Sequence, residues 1–107
     1  MLKNLTKNKV VSKKIRKLEG IEKTAGLIGK EKPQTLVIKT RFGIHTFFLK
    51  FPIDVVILDK NKNVVLAKAN IKPFRLVFWN IKYDTVLELP EGSIKNAKIE
   101  LGDILDF

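Results

Sequence analysis

His45, Lys50 and Asp54 fall within one apolar, strand-like run, IHTFFLKFPIDVVILDK, residues 44–60. These side chains can do chemistry: an imidazole titrates near neutral pH, an ammonium binds anions, and a carboxylate binds cations or N–H groups. His45 is the chain's only histidine and would be the natural general base. A base needs an orienting partner and a substrate pocket, and the local pattern offers neither. His45 and Lys50 are therefore read as a candidate ligand-facing pair, and no catalytic residue is assigned.

Asp54 reads differently. It follows Pro52 by two residues and shares a strand face with Val56 and Leu58, in a run that is apolar on both sides. A carboxylate there must accept hydrogen bonds, pair with a cation or be protonated. Backbone N–H groups freed by the chain break at Pro52, Lys50 and Arg75 are the candidate partners. The expectation is a structural Asp54 that pins the bend by accepting backbone hydrogen bonds.

A second stretch, IKPFRLVFWNIK (residues 71–82), interleaves basic and aromatic side chains, as surfaces that stack single-stranded bases do. Arg75 and Trp79 are its candidate ligand-binding residues. On a strand, Phe74, Leu76 and Phe78 would share one face, and Arg75, Val77 and Trp79 the other. The competing reading makes one of these faces half of a core.

Other motifs fail. Asp59 to Asn63 begins like a calcium loop, but Val64 stands where glycine is needed and Asn70 where the final glutamate belongs. One histidine and no cysteine exclude His-rich and thiolate zinc sites. There is no nucleophile elbow, phosphate-binding loop or dinucleotide fingerprint, and Ser12 and Ser93 have no base nearby. No metal and no cofactor is assigned.

The elements that must position these residues follow from period-two alternation and β-branched content. Residues 2–5, 10–17, 35–40, 53–58, 64–69, 72–81, 85–89 and 101–107 read as strands. Residues 59–63 form the turn of a hairpin, and Pro52 should sit at a strand start or a bulge. Residues 18–28 carry helical spacing with Gly29 as a stop. Pro90 is placed at the first position of a short helical turn. A mainly β, α+β fold results: one domain over residues 1–107, with a curled antiparallel sheet or partial β-barrel and one or two short helices.

Composition supports a globular chain, with 45% hydrophobic and 30% charged residues. No secretory-type apolar segment or membrane span is present, and the expectation is a soluble cytoplasmic protein. The formal charge is +10. Residues 1–32 carry ten basic and three acidic side chains, residues 33–82 nine and two, and residues 83–107 two and six. A basic surface attracts polyanions. A lysine-rich, glutamine-poor chain equally suits a thermophile.

The run Phe48-Leu49-Lys50-Phe51-Pro52-Ile53-Asp54, followed by apolar residues 55–58 and Asp59, resembles the central signature of the domain of unknown function 192 family. That signature is an aromatic, a methionine or aliphatic, a basic residue, then proline, an aliphatic and aspartate. KTAGLIGK (residues 23–30), VLELPEG (residues 86–92) and Gly102-Asp103 are similar to further family segments in order and spacing. Phe48 stands where many members have tryptophan, Phe51 where many have asparagine-threonine, and Lys23 where many have arginine. The resemblance implies a compact, mostly β domain and no particular activity.

Three functions remain in view. The first is a small non-enzymatic module that binds a small molecule or acidic partner in a groove near Pro52. The second is nucleic-acid binding through residues 1–82, with Trp79 as a stacking platform. The third is an enzyme using His45 as general base.

Overall fold

The computed structural model describes residues 1–18, 34–41, 43–46 and 49–107. The described strands are β1 (Leu2–Asn4), β2 (Lys9–Ser12), β3 (Arg16–Leu18), β4 (Leu36–Lys39), β5 (Gly43–His45), β6 (Ile53–Leu58), β7 (Val64–Ile71), β8 (Leu76–Phe78), β9 (Thr85–Pro90) and β10 (Leu105–Asp106). One short helix, α1 (Ser93–Asn96), lies between β9 and β10. A five-stranded sheet runs in the order β3-β4-β9-β6-β7, beside a three-stranded sheet β10-β1-β2 and a two-stranded ribbon β5-β8. The sheets are open and do not close into a barrel. Among the described strands, pairing is antiparallel except between β3 and β4, which run parallel.

β6 lies inside the large sheet, between β9 and β7, and all six of its residues are buried. Alternation sends Ile53, Val55 and Ile57 into one core with Leu18, Leu36, Ile38, Val77, Trp79 and Val86. Val56 and Leu58 enter the other with Leu2, Val37, Leu87, Leu89, Ala97, Ile99 and Leu105. Both faces of β6 are thus covered, as a run apolar on both sides but for Asp54 requires. Pro52 stands immediately before β6, where its missing N–H removes no ladder bond. The β6–β7 hairpin closes through residues 59–63, where the Asp59 carboxylate accepts the N–H groups of Asn61 and Asn63, both at 2.9 Å.

Several elements are shorter than the alternation predicts, each for a visible reason. Residues 10–17 divide between β2 and β3 in different sheets. The Ser12 hydroxyl donates to the Lys14 carbonyl at 2.8 Å and turns the chain between them. Residues 72–81 yield only β8, because residues 72–75 leave the strand in a bend. Residues 101–107 yield only β10, after Gly102 turns the chain at φ +89°. Pro90 ends β9 instead of starting α1, whose N-cap is Gly92 at φ +91°. Leu18 ends β3; the remainder of the helix expected over residues 18–28 lies outside the described residues.

The two ends of the chain meet through a polar cluster. Buried Asn4 donates from Nδ2 to the Ala97 carbonyl at 3.1 Å and to Asp103 Oδ2 at 3.0 Å. Lys7 Nζ reaches the same carboxylate oxygen at 2.9 Å, and the Glu100 N–H reaches it at 3.1 Å. Burial pushes the Asp103 carboxyl up, but the bonds from Lys7, Asn4 and Glu100, with the Lys7 charge, outweigh it and hold it below the usual range.

The core assignment predicts a contrast between two leucines. Leu87→Ala empties a fully buried site in the second cluster and should destabilise by about 2–5 kcal/mol. Leu101 is 67% exposed. Leu101→Ala should therefore move the denaturant midpoint little. Urea unfolding of both variants checks this.

Candidate anion-binding groove

The groove grows out of an irregularity between β6 and β7. Val55 faces Lys68 while Ile53 faces Ile71, so Ala69 and Asn70 together oppose Asp54. This bulge turns an Asn70 N–H away from the ladder. Asp54 Oδ1 accepts that N–H at 2.9 Å, and Oδ2 accepts the Ile94 N–H in the first turn of α1 at 2.9 Å. Asp54 is fully buried, on the same face as Val56 and Leu58. Its donors come from the β7 bulge and α1, not from groups beside Pro52 or from Lys50 or Arg75.

Beyond the bulge, the end of β7 and the start of β8 enclose a concavity of about 340 Å³. Lys68, Lys72 and Arg75 line it as cations, with Asn70, Ile71, Leu76 and Val77. Among the described residues, none of the three cations lies in an ion pair. Ile71 pairs with Ile53, so the groove sits one residue from Pro52.

The connecting bend is held from behind by Thr46, which is fully buried. Its hydroxyl donates to the Lys72 carbonyl at 2.7 Å and accepts the Arg75 N–H at 2.8 Å. Its backbone carbonyl accepts the Phe74 N–H at 3.1 Å, and its N–H donates to the Arg75 carbonyl at 2.9 Å. So clamped, Phe74 takes φ +64° and stands 64% exposed. A bulky residue in that region is a backbone outlier.

Each candidate site residue now has a place. Arg75 lines the groove, and Asp54 fixes the strand behind it. His45 is exposed on β5 opposite Leu76, a lining residue, so it stands on the neighbouring strand of the ribbon. Lys50 is exposed two residues before Pro52. Trp79 is only 8% exposed, packed in the first core, with its indole N–H donating to the Tyr83 carbonyl at 2.9 Å. It is not a stacking platform: Val77 and Trp79 form the inward face of this segment, and Phe74, Leu76 and Phe78 stay exposed. Gly43 permits the ribbon, because a Cβ there would meet the Phe78 ring at 2.7 Å and the Val77 carbonyl at 2.8 Å.

Residue-type reasoning missed Thr46, Lys68, Lys72 and Glu88. The lysines are hidden among eighteen in the sequence. Glu88 had a readable signal, since it interrupts an apolar run much as Asp54 does. It faces Leu36 on β4 and Val55 on β6, both buried in the first core. Burial pushes its carboxyl from 4.5 to about 7.

A second concavity of about 400 Å³ is lined by Ser12, Lys14, Ile15, Arg16, Gln34, Thr35 and Pro90. Its hydroxyls already bond one another, Thr35 donating to Ser12 at 2.8 Å. Among the described residues no three His, Cys, Asp or Glu side chains gather to hold a metal ion. No described helix is long and apolar enough to cross a membrane.

Two variants test the buried carboxyls. Asp54→Ala removes the buried acceptor of two part-buried N–H groups and should cost about 1–3 kcal/mol in chemical denaturation. Lys50→Ala, at an exposed position, should change little. Glu88 is neutral in both folded and unfolded chains below its unfolded value of 4.5. As pH rises from there through about 7, the unfolded chain ionises first and wild-type stability falls, by roughly 3 kcal/mol in total. Glu88→Gln should lack that loss, so the two denaturant midpoints should diverge between about pH 5 and about pH 8.

Comparison with known proteins places this geometry in a family. The family model for DUF192, described as "Uncharacterized ACR", matches residues 17–107. A UPF0127 protein of Pyrococcus furiosus is 29% identical over 111 residues, spanning 97% of this chain and 95% of its own length. A UPF0127 protein of Pyrococcus horikoshii is 34% identical over 78% of this chain and 76% of its own. A solved protein of unknown function from Novosphingobium aromaticivorans superposes with a TM-score of 0.74 at 16% identity, covering 88% of this chain and 73% of that one. A Sinorhizobium meliloti structure gives 0.76 at 15% identity, covering 87% and 78%. The two structures share the fold, and the match over residues 17–107 shows that this chain belongs to the DUF192 family.

Proposed function

We propose that the protein is a small binding module whose groove beside Pro52 takes an anionic ligand. One observation carries the reading: Lys68, Lys72 and Arg75 line a concavity whose less exposed lining residues are Ile71 and Val77, with no carboxylate bridging them among the described residues. Cations left together in this way repel one another, and an incoming anion relieves that repulsion. Arginine adds a planar fork that matches phosphate or carboxylate, while lysine acts as a point charge. The apolar lining suits a ligand with a hydrophobic or planar part. The groove encloses about 340 Å³. That is near the lower end of the range for small-molecule pockets.

The walls support binding without large rearrangement. Asp54 fixes the β7 side and Thr46 the β8 side, so little ordering remains to be done when a ligand arrives. We place the module in the cytoplasm, a compartment with which its cysteine-free sequence is compatible.

Thermal unfolding with a panel of phosphate- and carboxylate-bearing metabolites tests the proposal. A ligand at one hundred times its Kd adds about 2.7 kcal/mol, a rise in Tm of roughly 10 °C for a domain of this size. The double variant Lys72→Glu, Arg75→Glu should lose that rise while unfolding normally by itself. The reading fails if no anion stabilises the wild type, or if the double variant is stabilised equally.

A further inference from the structure

An aromatic stands on the bend that carries two of the groove's cations. Phe74 is 64% exposed at the lip of the bend that also carries Lys72 and Arg75. Holding a phenylalanine at φ +64° is strained, and such strain persists only where the surroundings over-determine it. Here the over-determination is visible in the bonds from Thr46 to Lys72, Phe74 and Arg75. A turn stabilised for its own sake would put glycine or asparagine at this position. This one holds a phenylalanine, 64% exposed, on the bend between Lys72 and Arg75. Leu76 and Phe78 continue the exposed apolar face along β8.

From this juxtaposition, and resting on the anion-groove reading above, we propose that the occupant is a single-stranded nucleic acid. A backbone phosphate lies among Lys68, Lys72 and Arg75, and an unpaired base stacks on the Phe74 ring. Cations that track phosphates beside an aromatic that accepts any base are the two parts of sequence-tolerant single-strand recognition. A duplex keeps its bases stacked inside and offers none to Phe74. The strongly basic character of residues 33–82 favours approach of a polyanion over that of a small neutral ligand. An anionic membrane also offers headgroup phosphates to the groove, but it presents no planar base to stack on Phe74.

Fluorescence anisotropy with a labelled fifteen-nucleotide oligo-thymidylate, at low salt, reads the interaction directly. Phe74→Ala should weaken binding by about 5- to 150-fold, the range for one stacked base. Phe74→Tyr should restore it, because the ring is kept, and Phe74→Leu should not. The double variant Lys72→Glu, Arg75→Glu should flatten the dependence of log K on log salt by about 0.7, one single-strand phosphate contact. Unchanged melting temperatures in the Phe74 variants separate lost stacking from lost fold. Equal affinity for a duplex of the same length, indifference to Phe74, or no gain over free thymidine monophosphate overturns the nucleic-acid occupant. Binding to phosphatidylglycerol vesicles in its place overturns it too. If inorganic pyrophosphate still stabilises the wild type and not the double variant, the anion groove survives and this occupant alone is wrong. If no anion binds, both readings fall.

Discussion

A single buried carboxylate organises the end of this molecule where binding is proposed. Asp54 lies in a strand with no exposed residue, in surroundings where an unsatisfied charge would be untenable. It persists because two backbone N–H groups converge on it, one from the β7 bulge and one from α1. The two bonds satisfy both carboxyl oxygens, and each also satisfies a donor that regular structure has left over. The Asn70 N–H is surplus because a bulge removes it from the ladder. The Ile94 N–H is surplus because the first turn of any helix lacks acceptors. One side chain therefore resolves three local problems. In doing so it fixes where β7 ends, how α1 docks, and where Asn70 stands in the groove wall.

Thr46 does for the opposite wall what Asp54 does for the first. It is equally buried, and its hydroxyl and peptide groups hold the bend between β7 and β8. Asp54 acts 16 residues ahead of Asn70, and Thr46 acts 26 to 29 residues ahead of Lys72 and Arg75. Both walls are thus set by polar contacts between buried groups and backbone remote in sequence, while the three lining cations stay outside any ion pair among the described residues. That division suits a binding surface. The support is rigid and satisfied, and the contact groups are left to meet a ligand.

The same division explains what could be read from the sequence. Strands whose identity depends on their own residues were legible: residues 35–40, 53–58 and 85–89 carry β-branched runs and become β4, β6 and β9. The hairpin at residues 59–63 was legible from its turn residues. Residues 72–75 were not, because Thr46, remote in sequence, takes them out of the strand that their alternation describes. The parity of residues 76–79 separated two faces, though Arg75 in the bend is exposed and does not follow Val77 and Trp79, and nothing local says which face turns inward. Packing decides it, by placing Val77 and Trp79 in the first core and leaving Phe74 and Phe78 outside. For Asp54 the energetic argument required acceptor bonds. Their donors became visible only once β7 and α1 were in place.

The positive character of the groove follows from where the acids of the chain are used. Asp54 accepts backbone N–H groups, and Asp59 accepts those of its own turn. Asp103 is taken by Asn4, Lys7 and Glu100, joining the two ends of the chain. Asp84 lies within 4.0 Å of Lys39 and 3.7 Å of Arg41, at the far end of β4 and β9. Glu88 is withdrawn into the first core, where burial favours its neutral form. Each of these carboxyls is engaged by its own surroundings, and none reaches Lys68, Lys72 or Arg75 within ion-pair distance. The charge on the groove is therefore more than a reflection of a lysine-rich composition. Lys7 and Lys39 have acidic neighbours within the fold, whereas at the groove three cations and apolar side chains line one open concavity. An anion entering there would supply from outside the charge contact that Asp103 and Asp84 supply to those lysines from within.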